Sequence, residues 1–382
     1  MNNILVSIVI PYKDRLDNIE LVLEALSRQN VAKQEFEIVV GVMEYSVEYV
    51  TLCKKYEDKI NIRSVMISDP WQVALARNIA IKQAVGEVLV FLDVDMVVSP
   101  GFVKNIYENH FSSGQNQCVI GQMIDYDNNN SDVDFVQVKP FDFYQSQIDE
   151  LDSKMPVAID ERWKVEYHLP WAFVWTALVA IPRRLVVEFD LVFDLNFHGY
   201  GVEDLEWALR IHKSGIPILR KEDVWGIHLP HVRNLKNNKR SEGINYQYFL
   251  KKWPANDVEL VSAFGDFEGN NMWLEFSREL SSNLPREGTH FSIVSATTEG
   301  KQVLYLGAVV DENKNIFNIN DEQFVNASLI EVIPVLGLRL PFDDQTFDAC
   351  IVLPGLDGFS TQFLERITEE SQRVSKGGVN RD

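Results

Sequence analysis

The sequence predicts an α/β protein built around a doubly wound, mainly parallel sheet. Three apolar runs of strand length, Ser7–Tyr12, Phe36–Val42 and Glu87–Leu92, are separated by segments with apolar residues at helical spacing. Strands that alternate with helices form βαβ units. A run of Val, Leu and Phe without polar alternation is typical of a strand buried on both faces. With 382 residues, the chain is long enough for a second, smaller domain.

The remaining elements follow from the same periodicities. Helices are expected at 17–29, 47–56, 71–84, 102–110, 144–151, 202–215 and 272–284, and further strands at 61–67, 119–123 and 216–219. The apolar segment Trp171–Ile181 is interpreted as a buried strand with its flanks. Gly86 is interpreted as the residue that ends the helix at 71–84. Apart from its helix, the polar stretch 125–160 is expected to form long loops of the kind that usually belong to a site.

Composition excludes several classes of protein. The net charge of −20 argues against a nucleic-acid partner, and the basic patch Arg233–Arg240 is interpreted as a mobile surface loop. The apolar run Ile4–Ile10 is too short for a signal peptide, and no run is long enough to span a bilayer. The odd, widely spaced cysteines form neither a disulfide framework nor a metal motif: Cys53, Cys118 and Cys350. A cytoplasmic location is the default expectation.

Two aspartates one residue apart, Asp93 and Asp95, end the apolar run that begins at Glu87. If the extended conformation continued, their side chains would share one side of the strand. Open α/β sheets bind ligands outside the carboxyl ends of their strands, and two carboxylates there can hold a divalent cation and, through it, a diphosphate. The alternative is that the pair only begins a turn before Ser99–Gly101.

Four segments in a fixed order carry a family resemblance. They are Ser7–Tyr12, Ala76–Asn78 with Gly86–Glu87, Asp93–Asp95, and Gly199–Asp204 ahead of a helix. Together they resemble the family 2 glycosyltransferases of GT-A fold, over about residues 4–235. The Gly-Tyr-Gly-Val-Glu-Asp piece looks like the acceptor-side motif of β-1,4-galactosyltransferases and polypeptide N-acetylgalactosaminyltransferases.

The resemblance implies an enzyme that moves a hexose or N-acetylhexosamine from a UDP-sugar to a hydroxyl of a glycan or protein acceptor, with inversion. In that family role Asp95 would hold Mn²⁺ or Mg²⁺, and Asp93 would face the ribose or the outer shell of the metal. His228 matches a position that supplies a further metal ligand in several relatives, and His231 competes for the role. The alternative for His228 is a hydrogen-bonded histidine at a strand end.

The acceptor side carries the expected catalytic base. The resemblance assigns proton abstraction to Asp204, and assigns Glu203 to acceptor hydroxyls or to support of the geometry. Acids at a helix N-terminus also stabilise the helix dipole without any catalytic purpose, and that dipole would lower the pKa of Asp204. The flanking Gly199 and Gly201 favour the catalytic interpretation, because they permit a close approach of backbone to ligand.

Five further positions are assigned to the nucleotide-sugar. Pro11 and Tyr12 are expected beside the nucleobase, Asp14 in the loop that follows them, and Arg77 opposite the diphosphate. Core packing is the alternative for the first two, and a surface cation the alternative for Arg77. Many relatives carry paired acids at the end of the second strand, where this chain has Gly-Val-Met-Glu. Glu44 is expected to take their place, and the identity of the nucleobase in the donor therefore stays open.

The expected domains are 1–250, a helical linker at 251–287, and a module at 288–382. Within the module, Gln302–Leu306 has strand character, and Leu340–Val352 with the segment 363–378 resembles the back half of a class I methyltransferase. Of the glycine-rich turn that such an enzyme needs, only Leu306–Ala308 remains. We therefore expect a partial or non-catalytic Rossmann-like module.

Two rival functions remain at this stage. One is a glycosyltransferase-like module that binds nucleotide-sugars or scaffolds without turnover, as the altered second strand and the incomplete module suggest. The other is a nucleotidyltransferase, which would require a glycine-rich, basic loop after the first strand; Lys13–Arg15 does not supply it. The sequence indicates no oligomeric state.

Overall fold

The computed structural model describes residues 4–125, 136–298, 300–319, 324, 327–377 and 379–381. These residues fall into two compact units. Unit 1 comprises Met1–Glu166 and Pro170–Glu242, and unit 2 comprises Tyr167–Leu169 and Gly243–Asp382. The domain boundaries expected from the sequence stay predictions. The expected loop around 126–135 lies outside the described residues.

Strands and helices alternate through most of unit 1. Its strands are β1 Val6–Tyr12, β2 Phe36–Val42, β3 Ile62–Met66, β4 Val88–Leu92, β5 Met96–Val98, β6 Cys118–Ile124, β7 Leu178–Pro182 and β8 Ile218–His228. Its helices are α1 Leu16–Leu26, α2 Val47–Tyr56, α3 Val73–Ile81, α4 Phe102–Asn105, α5 Phe141–Asp152, α6 Arg183–Glu188 and α7 Glu203–Lys213, followed by α8 Leu235–Lys252, which continues into unit 2.

The strands of unit 1 form one eight-stranded sheet in the order β3-β2-β1-β4-β7-β6-β8-β5. The first four are mutually parallel, whereas β7 is antiparallel to β4 and β6, and β5 is antiparallel to β8. All residues of β1, β2 and β4 are buried, as expected for strands covered on both faces. The predicted α/β class is therefore confirmed, with a mixed second half of the sheet.

Two glycines allow close packing in this sheet. A Cβ on Gly41 in β2 would lie 1.9 Å from the carbonyl oxygen of Ala76, so α3 rests directly on the strand backbone. Gly86 was interpreted as a helix end, and this was wrong: α3 ends at Ile81. A Cβ on Gly86 would instead lie 2.6 Å from the backbone nitrogen of Ser7, so the residue serves strand packing.

Several expected boundaries were also wrong. The segment Trp171–Ile181, interpreted as a buried strand with its flanks, does contain most of the buried strand β7, and the flank before it includes most of the 3₁₀ helix Pro170–Phe173. The strand expected at 216–219 continues to His228, and the helix at 102–110 turns into a π-helix at Ile106–Phe111. The basic patch is not a loop, because Arg233 is buried and α8 begins at Leu235.

Unit 2 contains a second, smaller sheet. Its strands are β9 Thr289–Thr298, β10 Lys301–Asp311, β11 Ser328–Ile333, β12 Ala349–Val352 and β13 Val379–Arg381, and its helices include α9 Asn256–Phe264, α10 Asp266–Asn283 and α11 Thr361–Val374. The order is β11-β9-β10-β12-β13. β10 is parallel to β12 and antiparallel to β9. The strand expected at 302–306 runs on through Gly307 to Asp311, with a register shift between Tyr305 and Ala308.

The cofactor-binding turn considered at Leu306–Ala308 lies inside strand β10. The carbonyl oxygen of Gly307 accepts a hydrogen bond from Asn318 (2.9 Å), and a Cβ on Gly307 would lie 2.5 Å from the Leu356 side chain. The glycine thus permits a bulge within a strand at this point. The resemblance to a partial methyltransferase stays an expectation.

Among the described residues, no helix is both long and apolar enough to cross a membrane.

The packing at Gly41 gives the first prediction. We expect Gly41→Ala to destabilise the protein by about 1–3 kcal/mol, because the added methyl group overpacks a contact between two backbones. Gly101→Ala is the matched control, since the nearest heavy atom to its Cβ would lie at 3.5 Å. Thermal unfolding of the full chain measures both. An unchanged midpoint for Gly41→Ala would show that α3 moves away from β2 at little cost.

Candidate active site

The predicted site residues meet at the carboxyl ends of β1 and β4 and at the end of β8. β4 ends at Leu92, and a turn leads into β5, whose Met96 pairs with His228, the last residue of β8. The backbone nitrogen of Leu229 donates to the carbonyl oxygen of Asp95 (2.7 Å). Strand pairing therefore sets Asp95 beside His228, although 133 positions separate them in the chain.

Asp93 and Asp95 do not share a side, contrary to the sequence-based expectation. The chain turns between them, with the Met96 nitrogen donating to the Asp93 carbonyl (3.2 Å). Asp95 is 2% exposed and faces two histidines, whereas the Asp93 side chain is 32% exposed and faces Arg77. The turn thus divides the pair between two different clusters, because a strand's period of two no longer applies once the strand has ended.

The first cluster consists of Asp95, His228 and His231. One ligand atom from each lies within 4.8 Å of the others. His228 Nε2 is 3.8 Å from Asp95 Oδ1, and His231 Nδ1 is 3.1 Å from Asp95 Oδ2. Asp95 Oδ1 is buried and has no hydrogen-bond partner among the described residues. Such an oxygen next to imidazoles fits a divalent cation, and the residues present therefore suit the metal that the family resemblance implies.

Protonation in this cluster also suits a metal. Burial would raise the pKa of Asp95, but His228, His231 and the guanidinium of Arg15 hold it below its ordinary value. Burial lowers the pKa of His228 to about 4, so its ring is neutral at pH 7. Carboxylate and neutral imidazole are the forms that bind metal ions. Arg15, which pairs with Asp95, was missed; its only sequence signal was a cation in the polar loop after β1.

The second cluster is centred on Arg77, a buried residue of α3. Its guanidinium donates to Glu203 Oε1 (2.9 Å) and to Asp93 Oδ1 (3.1 Å), and it lies over the Phe193 ring at 5.3 Å. The side chain is 4% exposed, so the alternative of a surface cation is wrong. Arg77 therefore joins Asp93, which follows β4, to Glu203 at the start of α7. Its expected position opposite a diphosphate stays a prediction.

Asp204 lies at the start of α7, next to Glu203. One of its oxygens accepts the backbone N–H of Leu205 (2.9 Å). Burial and the neighbouring Glu203 charge raise the pKa of Asp204 to about 8, despite the opposing effect of Arg77. The lowered pKa expected from the helix dipole was wrong, because desolvation and a like charge outweigh a dipole effect of about 0.3–1 kcal/mol.

The turn before α7 is conformationally unusual. Gly199, Gly201 and Val202 have φ angles of 79°, 83° and 75°. A β-branched residue in the left-handed region is a genuine outlier, and such strain clusters at functional sites. The turn is held by Ser241, whose Oγ accepts the N–H of Tyr200 (3.0 Å). The glycines therefore permit a backbone path that other residues would resist.

The other predicted binding residues line the ends of β1 and β2. Pro11 and Tyr12 are buried at the end of β1, and the Tyr12 ring stacks on Tyr49 with centroids 4.4 Å apart. Asp14 and Glu44 are exposed, and each carboxylate lies within 4.0 Å of the Lys13 ammonium. They stand where a base and ribose would enter an open α/β site. Their binding roles stay predictions.

Arg77 gives the second prediction. Arg77→Met should destabilise the protein by about 3–5 kcal/mol, because it leaves buried Glu203 without its counter-charge. Lys55→Met is the control: the Lys55 and Glu20 side chains are 62% and 43% exposed, so their ion pair should contribute no more than about 1 kcal/mol. Urea denaturation measures both. Equal effects of the two substitutions would contradict a central role for Arg77.

Comparisons with known proteins show which proteins this chain resembles. Residues 7–163 match the family model "Glycosyl transferase family 2". The chain is 27% identical to validoxylamine A glucosyltransferase of Streptomyces hygroscopicus subsp. jinggangensis, over 98% of this chain and 96% of that protein. It is 22% identical to the uncharacterised glycosyltransferase YfnE of Bacillus subtilis, over 60% of this chain and 66% of that protein.

A solved structure is similar at lower identity. Staphylococcus aureus TarS 1–349 in complex with UDP is 16% identical, with a TM-score of 0.46, covering 74% of this chain and 76% of that one. The mixed eight-stranded sheet of unit 1 and the match to the family model confirm the GT-A-like α/β fold class expected from the sequence. Residues 7–163 thus match a family 2 glycosyl transferase domain, and the protein is a glycosyltransferase, the class of enzyme expected from its sequence.

Proposed function

We propose that the protein is a metal-dependent glycosyltransferase that moves a hexose or N-acetylhexosamine from a UDP-sugar to a hydroxyl acceptor, with inversion. The observation that carries this proposal is the pair of clusters at one end of the sheet. Asp95 with its histidines can hold a cation, and Asp204 with its raised pKa can accept a proton. The Streptomyces relative is a glucosyltransferase by name, which supports a hexose as the group transferred.

Asp95 and His228 would hold the cation of the donor complex. A bound divalent ion supplies Lewis-acid stabilisation of the charge that develops on the departing diphosphate. Asp204 takes the proton of the acceptor hydroxyl as the acceptor oxygen bonds to the anomeric carbon. The bond from that carbon to the β-phosphate oxygen breaks, and its electron pair leaves with UDP. A single displacement of this kind inverts the anomeric configuration.

Arg77 holds the donor side of the proposed site next to its acceptor side. Asp93 lies on the donor side and Glu203 precedes the base, and one guanidinium holds both carboxylates. Burial would lower the pKa of Arg77, but the charges of Asp93 and Glu203 raise it, so its guanidinium stays positively charged over the working pH range. The Asp93 side chain stays 32% exposed while it is held by Arg77, and a ribose hydroxyl is the group that it would bind.

The direct test is calorimetric titration of UDP with and without Mn²⁺, followed by assays of UDP-sugar hydrolysis and transfer. Metal-dependent binding and transfer support the proposal. Binding without any turnover would favour the non-catalytic nucleotide-sugar-binding module. Absence of binding for both UDP and GDP would contradict a nucleotide-sugar site altogether.

Substitution of the two aspartates gives the third prediction. Asp204→Asn should lower transfer by about 10²- to 10⁴-fold through loss of the base, with UDP binding retained. Asp95→Ala should lower transfer at least as strongly and also weaken Mn²⁺-dependent UDP binding. The control is Asp58→Asn, an exposed carboxylate between α2 and β3. Full activity in either variant would remove that residue from the mechanism.

The raised pKa of Asp204 gives the fourth prediction. A general base works in its deprotonated form, so kcat/KM should rise with pH up to about 8 and fall about tenfold per pH unit below that value. This pH dependence should be lost in Asp204→Asn. The profile is measured from pH 5.5 to 9.5 at saturating metal. If the base instead had the ordinary aspartate pKa of 3.8, kcat/KM would be constant between pH 6 and 8. That result would show that Asp204, in its observed environment, is not the base.

A further inference from the structure

One buried ion pair of unit 1 lies outside the two clusters of the site. Arg162 is fully buried, and its guanidinium lies 2.6 Å from the carboxylate of Asp160, which is 7% exposed. The guanidinium also donates to the carbonyl oxygens of Gly121 (2.8 Å) and Phe173 (3.1 Å). Asp160 in turn accepts the backbone N–H of Met123 in β6 (2.8 Å). The pair is therefore bonded to the sheet on one side and to the chain before β7 on the other.

Arg162 anchors residues 173–177, the segment that joins the 3₁₀ helix to β7. Phe173 is the last residue of that helix, and its carbonyl oxygen is one of the acceptors of Arg162. The guanidinium also lies over the Trp175 ring, 4.8 Å from its centroid. A planar guanidinium can donate at its edge while its face stacks on an aromatic ring. Arg162 thus holds this anchored segment at two points.

The anchored segment reaches both sides of the proposed site. The carbonyl oxygen of Ala177 accepts the backbone N–H of Asp93 (3.1 Å). The 3₁₀ helix that leads into the segment packs against α7, and the backbone N–H of Thr176, a residue that is 2% exposed, acts on the Asp204 carboxyl. The segment therefore helps to enclose the proposed base, although its own sequence, Phe-Val-Trp-Thr-Ala, carries no charged side chain.

The groups around Asp204 oppose each other in their effect on its carboxyl. Burial is the largest effect and raises the pKa, and the charge of Glu203 raises it further. The charge of Arg77 and the backbone N–H groups of Leu205 and Thr176 lower the pKa. Because burial dominates, a loosened anchored segment would lower the pKa of Asp204 by admitting water to it.

We infer that Arg162 is a positioning residue for the proposed base: paired with Asp160, it holds the anchored segment against α7 and thereby fixes the Asp204 carboxyl for the acceptor hydroxyl. The inference rests on the role of Asp204 in the proposed function. Arg162 acts through the backbone of residues 173–177 and not on a reacting atom. Such support matters to the rate, since a misplacement of about 1 Å at a reacting group can cost about 100-fold.

The test compares variants of the pair in the full-length protein. Arg162→Lys keeps a positive charge beside Asp160 but loses the planar fork. Arg162→Met leaves Asp160 buried without its counter-charge, so the double variant Asp160→Asn/Arg162→Met removes both charges. The matched control is Arg183→Met, because Arg183 follows the other end of β7 and donates to the carbonyl oxygen of Gly86 (3.1 Å). Circular dichroism and thermal unfolding verify that each variant folds.

The reaction measured is hydrolysis of UDP-glucose at saturating Mn²⁺ from pH 5.5 to 9.5, with water as the acceptor. In Arg162→Lys and in the double variant, kcat should fall about 10- to 100-fold, because the base is misplaced. The pH limb of kcat/KM, expected at about 8 in the unmodified protein, should move down by about one pH unit, because water reaches Asp204. Arg183→Met should change neither quantity.

A merely structural role would lower thermal stability without moving the pH limb. In folded variants of Arg162, an unchanged kcat, or a limb that stays at about 8 or rises, would overturn the inference and leave the proposed function intact. Failure of every Arg162 variant to fold, with Arg183→Met folded, would overturn it as well, because the pair would then serve the fold of unit 1 as a whole. Absence of the limb in the unmodified protein would instead contradict Asp204 as the base, and with it the proposed function.

Discussion

The buried ion-pair cluster around Arg77 is the interaction on which the rest of the site depends. Its guanidinium is anchored in α3, which packs on the backbone of β2 at Gly41. From there it holds Asp93 after β4 and Glu203 at the start of α7. Buried charges are costly unless they are paired and hydrogen-bonded. The pairing therefore constrains three elements that are remote in the chain, and it places the Asp93 and Glu203 carboxylates on one guanidinium.

The turn at Asp93–Asp95 assigns two adjacent acids to different tasks. Asp95 lies beside β8 because β5 pairs with it, while Asp93 remains near the cleft surface. The two environments shift the pKa values of these carboxyls in opposite directions. The pKa of Asp95 lies below its ordinary value because His228, His231 and Arg15 surround it. The pKa of Asp93 is raised, because its carboxyl is partly withdrawn from water and lies near the charge of Asp95. Neighbouring carboxyl groups usually differ in pKa in this way, because two like charges at short distance repel each other.

Conformational strain concentrates in front of the proposed base. Three of the four residues 199–202 have positive φ, and one of them is valine. The close approach of Ser241 of α8 to Gly199 holds this path, since a Cβ on Gly199 would lie 2.6 Å from the Ser241 Cβ. The strained turn thereby delivers Asp204 to the cleft at the N-terminus of α7. A simple helix cap would require neither the glycines nor the strain.

The sequence by itself determined the sheet class and the alternation of β1 to β4 with helices, because buried strands and amphipathic helices have periods that are visible locally. It also indicated Asp95, Asp204 and His228 through the order of their motifs. Only the tertiary structure decided which residues face each other. Strand pairing across the sheet brought His231 and Arg15 to Asp95, and helix packing buried Arg77 between two acids. The raised pKa of Asp204 was likewise decided in three dimensions, since desolvation and a neighbouring charge depend on what surrounds the residue and not on its position in the chain.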